Sequence, residues 1–213
     1  MINTYNESFL HSELKLKYAK QFNGKTEVKI ENYICDIVSE NEIIEIQTGN
    51  FSNITSKLLS LTQKHKVKLV YPMQFIKYIE KYDSEGNFLE RRKSPKKMNL
   101  YSAFDELMAI YPVLLSENFS LDILFCEICE KRIITNEKNY TKNRRSRFLK
   151  NYSKEGKTLE NIMGQTTLQS KADYLDLFPK DLPEVFSTSN LFKKCGKQNA
   201  YKFMWVMKKL ELV

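Results

Sequence analysis

The sequence has no long apolar run, and this absence limits where the chain can reside. None of its 213 residues lies in an apolar run that approaches the roughly eighteen residues of a membrane span. The first fifteen residues, MINTYNESFLHSELK, are too polar for a secretion signal. The sequence therefore predicts a cytoplasmic protein with no membrane partner.

Cysteine and histidine are also scarce, with four and two copies. Cys126 and Cys129 have CxxC spacing, but they lie in LDILFCEICEKRI, which is typical of a strand, where residues three apart point to opposite faces. No second cysteine pair and no nearby histidine completes a zinc set. Buried thiols in a reducing compartment are the favoured interpretation.

Apolar and aromatic residues make up 42% and 12% of the chain, enough to fill a core. The length fits one large domain, or one medium domain with a small appendix. No internal repeat or low-complexity tract is present.

The net charge of +8 is unevenly distributed. Residues 1–137 carry 18 Lys and Arg against 19 Asp and Glu, whereas residues 138–213 carry 16 against 7. This excess fits a surface that contacts a phosphate backbone, and it equally fits a solvated basic surface.

The first 75 residues predict a mixed α/β layer. ESFLHSELKLKYAKQF has helical spacing, TEVKIENYICDIVS and NEIIEIQT indicate an antiparallel meander with a turn at Ser39 to Glu42, and residues 52–65 return to helical spacing. VKLVYPM is typical of a buried strand, and the pattern changes after Pro72. Helices packed on a sheet are the expected architecture.

The remainder predicts a hairpin around DSEG that ends in the basic loop RRKSPKK, a helix at about 100–111 and a strand at about 121–134. Residues 136–158 are a linker, an extended arm or a basic hairpin. A helix at about 166–178 and two helices that meet at Cys195-Gly196 indicate a helix-turn-helix within a small winged-helix domain. The predicted division is a core over 1–135, a basic connector over 136–160 and the winged helix over 161–213.

Two carboxylates interrupt the apolar strands of CDIVSENEIIEIQTGNF. If Ser39 to Glu42 form the turn, Val38 faces Ile43 and Asp36 faces Glu45, with Cβ atoms about 5 Å apart. Like charges in such a position destabilise a sheet unless a cation lies between them. Mg²⁺ prefers oxygen ligands of this kind, so the pair predicts a site for Mg²⁺ or Mn²⁺.

Neighbouring groups extend this predicted site. The Ile46 carbonyl is a further candidate ligand, and Gln47 can orient an attacking water without adding charge. Glu7 and His11 share one face of the first helix and are candidate site residues. Their alternatives are a helix acid favoured by the dipole and a packed or capping histidine.

Several cations and one neutral amide are candidates for nucleic-acid binding, each with a purely structural alternative. The first group is in the hairpin loop, the second lies among aromatic residues on which bases could stack, and the third is at the start of the last helix. The residues are Arg91, Arg92, Lys93 and Lys96; Arg144, Arg145 and Arg147; and Lys197, Gln198 and Lys202.

The D-x8-E-x-Q arrangement of Asp36, Glu45 and Gln47, between an early helix and a helix with a strand, resembles the PD-(D/E)XK nuclease core in its ExQ variant. ESFLHSELK, DIVSENEIIEIQTGNFSNI, KLLSLTQKHKVKLVYP, RRKSPK and FSTSNLF with AYKFMWVMKKLEL more closely resemble an uncharacterised prokaryotic family with such a core and a C-terminal winged helix. This resemblance covers nearly the whole chain. Cys35 stands where many relatives of the superfamily have proline.

The resemblance implies a restriction-endonuclease-like fold and a Mg²⁺-dependent nuclease that hydrolyses DNA phosphodiester bonds. It implies Asp36 and Glu45 as metal ligands, Gln47 at the usual lysine position and Glu7 as the helix carboxylate. The alternatives are a DNA-binding or adaptor protein that has lost the chemistry and a structural partner in a larger assembly. A homodimer fits double-strand cutting, which needs two sites.

Overall fold

A computed structural model describes residues 9–96, 98–139 and 150–213, without the side chains of residues 136–139 and 150. The candidate residues Glu7, Arg144, Arg145 and Arg147 lie outside these described residues.

In the first half of the chain, single helices alternate with groups of two or three strands. Two long strands then precede three C-terminal helices. In order, the elements are α1 Phe9–Gln21, β1 Lys25–Ile30, β2 Tyr33–Val38, β3 Ile43–Ile46, α2 Thr55–Leu61, β4 Val67–Tyr82, β5 Phe88–Lys93, α3 Phe104–Ile110, β6 Phe119–Asn139, β7 Lys150–Leu168, α4 Lys171–Leu175, α5 Phe192–Cys195 and α6 Lys197–Lys209. Short 3₁₀ turns include Phe51–Asn53 and Leu100–Ala103.

The seven strands of the described chain form one mixed sheet in the order β1-β2-β3-β4-β6-β7, with β5 also paired to β4. β4 is parallel to β3 and β6, while the other pairs are antiparallel. This confirms the predicted mixed α/β layer. No helix of the described residues is long and apolar enough to cross a membrane.

The sheet separates two cores. On one face, α1 packs Leu10, Leu14 and Tyr18 against a cluster that includes Ile44 and Val70. On the other face, residues of α2, α3 and α6 share a larger core with β4, β6 and β7. Burial of these apolar side chains, at about 25 cal/mol per Å², is the main force that holds both layers to the sheet.

β4 is one continuous strand of 16 residues, which joins the predicted buried strand VKLVYPM to the first strand of the hairpin predicted around DSEG. On one side of β4, β3 pairs with residues 67–70 and β5 pairs with residues 78–82. Among the described residues, no strand pairs with residues 71–77 on this side, which leaves a gap between β3 and β5. The Val70 carbonyl faces β3, where it accepts the Gln47 amide at 2.9 Å. Because alternate residues face the same side, Pro72, which has no N–H, faces this gap and leaves no ladder bond unmade.

The described parts of the predicted linker, arm or hairpin, residues 136–139 and 150–158, lie on two antiparallel strands that pair with each other, as the hairpin alternative predicts. β6 and β7 pair from Leu121↔Leu168 to Asn139↔Lys150. The predicted helix at 166–178 is wrong at its start, since Thr166 and Thr167 pair with β6. The helix begins only at Lys171, after a capping box in which Ser170 and Asp173 satisfy each other's backbone amides.

The last two helices are where the sequence places them, with Gly196 between them at a φ of 81°. They pack onto the sheet through the large core, where the Phe203 ring lies 4.9 Å from Phe104 and 5.3 Å from Tyr101. Residues 161–213 are therefore continuous with the core in their packing.

Candidate functional site

The turn between β2 and β3 sets the register of the two candidate carboxylates. The Ser39 amide donates to the Glu42 carbonyl at 3.0 Å, and Ile37 pairs with Ile44 and Val38 with Ile43. This is the predicted register, and continuing it by one residue brings Asp36 level with Glu45.

Asp36 is held from two directions. Its Oδ2 accepts the Ile46 amide at 2.8 Å and lies 3.1 Å from His11 Nε2 on α1. Burial alone would raise the pKa of Asp36, but these two hydrogen bonds, together with the charges of His11 and Lys57, outweigh it and hold the pKa below its usual value. Both contacts use Oδ2, so Oδ1 has no hydrogen-bond partner among the described residues.

Glu45 is a buried carboxylate, 2% exposed. Its Oε2 lies 2.6 Å from Lys57 Nζ, and its Oε1 has no hydrogen-bond partner within the described chain. Burial raises the pKa of Glu45 to about 7, and the Asp36 charge adds to this, while Lys57 and the Asp36 backbone amide oppose it. The site therefore has a buried carboxylate oxygen without a hydrogen bond in the described chain, and burial disfavours its ionised form.

Lys57 is a site residue that the sequence analysis missed. It lies on α2, and besides Glu45 it contacts the Ile34 carbonyl at 2.7 Å. The signal was available, because Lys57 is three residues after Ile54 and four before Leu61, both buried. A lysine on the apolar stripe of a helix must find a buried acceptor.

Gln47 follows β3, and its side chain turns back onto its own loop. Its Nε2 donates to the Gly49 carbonyl at 2.5 Å, while its backbone amide donates to Val70. Gln47 thus orders the loop at the end of β3 in this conformation.

Asp36, Glu45 and His11 do not bring three donor atoms within 4.8 Å of one another, and Glu7 is outside the described residues. Among the described residues, Glu80, Cys129 and Glu160 do form such a group. Arg91 is bound between them, 2.9 Å from Glu80 and 2.7 Å from Glu160, so a guanidinium already balances these carboxylates.

The predicted nucleic-acid residues lie in different surroundings. Arg91 makes the two ion pairs above and lies 4.4 Å from the Tyr78 ring centroid, and Arg92 lies 3.9 Å from Glu90. Lys93, Lys96, Lys197 and Gln198 are exposed. Lys202 contacts Asp105 of α3 at 2.5 Å, which ties α6 to the core.

A second charged cluster, also missed by the sequence analysis, surrounds Glu130, which is 1% exposed. Its carboxylate contacts Arg132 Nε at 2.7 Å, Lys154 at 3.0 Å and Lys77 at 3.4 Å. Burial opposes ionisation, but these cations outweigh it and lower the pKa of Glu130 to about 2. Burial, together with Lys154, Lys77 and Lys96, lowers the pKa of nearby Lys157.

The chain belongs to the family described as "Domain of unknown function (DUF8091)", whose model matches residues 8–169. It is similar to a protein of Treponema pallidum (strain Nichols) described as "Uncharacterized protein", with 29% identity over 191 residues, 89% of this chain and 73% of that protein. No solved structure gives a significant match. The family match covers every described residue of the Asp36–Glu45 site.

Proposed function

We propose that this DUF8091 protein is a Mg²⁺- or Mn²⁺-dependent nuclease that hydrolyses DNA phosphodiester bonds. The observation that carries this proposal is the buried Glu45 carboxylate, whose Oε1 is unsatisfied beside Asp36. A buried, unsatisfied carboxylate oxygen is destabilising, and an oxygen-preferring divalent cation would satisfy it.

The residues present fit such a cation at two oxygens, Asp36 Oδ1 and Glu45 Oε1, and the Ile46 carbonyl and Glu7 are candidates for the remaining positions. A divalent ion at this position supplies an activated water and neutralises charge in the transition state. His11 and the Ile46 amide hold Asp36 ionised and fixed.

In the PD-(D/E)XK motif that this chain resembles, one lysine supplies charge at the site, and here Lys57 and Gln47 together take its place. Lys57 supplies the positive charge and favours the ionised form of Glu45. Gln47 supports the loop that follows β3, and its amide can orient water once it leaves Gly49.

The finer fold assignment belongs to the same proposal. An α1 helix, a β1–β2–β3 meander and a parallel β3–α2–β4 crossover support a restriction-endonuclease-like core. The α5–Gly196–α6 pair supports a winged-helix segment that docks DNA through exposed Lys197 and Gln198. A homodimer and a cytoplasmic location complete the proposal.

The test uses supercoiled plasmid and single-stranded DNA with Mg²⁺ or Mn²⁺. Wild type is expected to cleave at least one substrate, and Asp36→Asn or Glu45→Gln to lower the rate about a hundredfold or more. Glu40→Gln, an exposed acid in the neighbouring turn, is the matched control and should cleave normally. Absence of cleavage on both substrates by folded wild type would contradict the proposal.

The second candidate is a DNA-binding adaptor without catalysis. The hydrogen bond from Gln47 to the Gly49 carbonyl favours it, because the position then contributes neither charge nor water contact. If the protein is an adaptor, calorimetric titration with Mn²⁺ should give the same result for wild type and for Glu45→Gln. Mn²⁺ binding that is present in wild type and lost in Glu45→Gln would contradict the adaptor.

A further inference from the structure

The gap between β3 and β5 along β4 begins next to the end of β3, the strand that carries Glu45, and contains a polar cavity. One hydrogen bond bounds each end of the gap. At one end the Gln47 backbone amide donates to the Val70 carbonyl at 2.9 Å, and at the other the Ser94 backbone amide donates to the Lys77 carbonyl at 2.7 Å. Glu45 is at the end of β3, so the gap begins where the candidate carboxylates lie.

A cavity of about 240 Å³ occupies this position. Part of its polar lining comes from the loop after β3, from β4 itself and from the loop after β5: Thr48, Gln74, Lys77, Ser94 and Lys96. Hydroxyl, amide and ammonium groups of this kind are those that contact phosphate oxygens.

Two acids, Asp105 and Glu106, also line the cavity, but both have partners. Lys202 contacts Asp105 at 2.5 Å, and the Phe51 amide donates to Glu106 at 3.0 Å. Lys96 is exposed and has no ion pair among the described residues, so its charge is available to a ligand.

The positive charge continues from the cavity along the long strands. Lys77 lines the cavity and also contacts Glu130, which Lys154 and Arg132 contact as well. Lys157 is paired with Glu130 in the β6–β7 register, and burial together with Lys154, Lys77 and Lys96 lowers its pKa. Glu130 thus contacts three cations and is paired with a fourth, Lys157, an excess of positive charge that attracts a polyanion.

We propose that the substrate strand crosses the β3–β5 gap, with one backbone phosphate bound by Lys77, Lys96 and Ser94 and the following phosphates bound by Lys154 and Lys157. This inference rests on the proposed nuclease function, and it assigns the strand path relative to the cleavage site. The path runs from the Asp36–Glu45 site, past Thr48, along β4 and onto β6 and β7.

Binding without cleavage tests the path. Fluorescence anisotropy of a labelled single-stranded DNA in EDTA should show that Lys96→Glu and Lys77→Gln each weaken binding about fivefold to tenfold and lower the salt dependence by about one phosphate contact. Lys29→Glu on β1, at the far edge of the sheet, makes the same charge change as Lys96→Glu and should shift affinity less than about twofold.

Equal affinities for wild type, Lys96→Glu and Lys77→Gln, or an equal loss in Lys29→Glu, would overturn the path. Circular dichroism and thermal unfolding verify that each variant is folded, and exposed Lys96 keeps the test decisive if Lys77→Gln is destabilised. Cleavage by a protein whose binding ignores Lys96 and Lys77 would refute the path alone. Lysine-dependent binding without any cleavage would refute the nuclease alone.

Discussion

At the scale of the residue, Lys57 differs from the other site residues because its charge affects the protonation of Glu45. Because Lys57 lowers the pKa of Glu45, Lys57→Met should raise that pKa further. Glu45 would then ionise at higher pH, so the acidic limb of the cleavage pH profile should move upward and the rate at pH 7 should fall about tenfold.

Lys57→Arg should retain part of the activity, since it keeps the charge. Lys64→Met, which removes an exposed lysine paired with Glu31, is the control. If Lys57→Met lowers only the melting temperature and leaves the pH profile in place, Lys57 has a structural role alone.

Glu130 gives a pH-dependent stability prediction. Its pKa of about 2 in the folded chain lies below the ordinary 4.5, so its stabilising contribution is present above pH 4.5 and is lost as pH falls toward 2. Glu130→Gln should lower the free energy of unfolding by about 2 kcal/mol at pH 7, allowing for the half-exposed Lys154.

Urea unfolding at pH 7 and pH 3 measures this effect, and the difference from wild type should be smaller at pH 3. Glu155→Gln, an exposed acid paired with Lys131, should change little at either pH. The same Glu130→Gln variant should bind DNA more tightly, because it removes the one carboxylate of the cation cluster. A loss of stability that is constant with pH would contradict the electrostatic account.

At the scale of the element, local pattern predicts what local forces decide. α1, the β1–β2–β3 meander and its register follow from apolar spacing and from the turn at Ser39 to Glu42, so Asp36 and Glu45 could be aligned from sequence. The hairpin turn at DSEG also forms, with Asp83 accepting the Glu85 and Asn87 amides.

Elements that depend on distant partners were predicted less well. The sequence pattern changes after Pro72, but β4 continues through it, because the missing N–H of Pro72 faces a gap that only the positions of β3 and β5 create. The polar residues of β7 have no strong periodicity and extend because β6 pairs with them. Lys57 contacts Glu45 across 12 residues of chain, and Glu130 contacts Lys154 and Lys77 across 24 and 53 residues, which spacing alone does not show.

At the scale of the whole molecule, α6 and the sheet share one core. Phe203, Val206 and Met207 are fully buried in the cluster that also contains Leu69 and Leu121. Each such side chain contributes about 1.5–3 kcal/mol, and a typical domain is stable by only about 5–15 kcal/mol. A chain that ends at residue 191 should therefore lose cooperative unfolding in urea.

Removal of Val213 alone, an exposed terminal residue, is the control and should leave the urea transition unchanged. A chain ending at residue 191 that still unfolds cooperatively would instead support the predicted separate domain over 161–213. Circular dichroism and urea titration distinguish these outcomes.

The gap beside Pro72 also has a thermodynamic consequence for any ligand that enters it. The strands at both ends of the gap are already paired, and a ligand placed between them breaks no ladder hydrogen bond of the folded chain. The strands that form the cavity walls are ordered when the protein folds. Ligand binding therefore does not require a further loss of conformational entropy from these strands. Recognition at this position is preorganised, and we expect long-range electrostatic attraction, more than conformational rearrangement, to set its association rate.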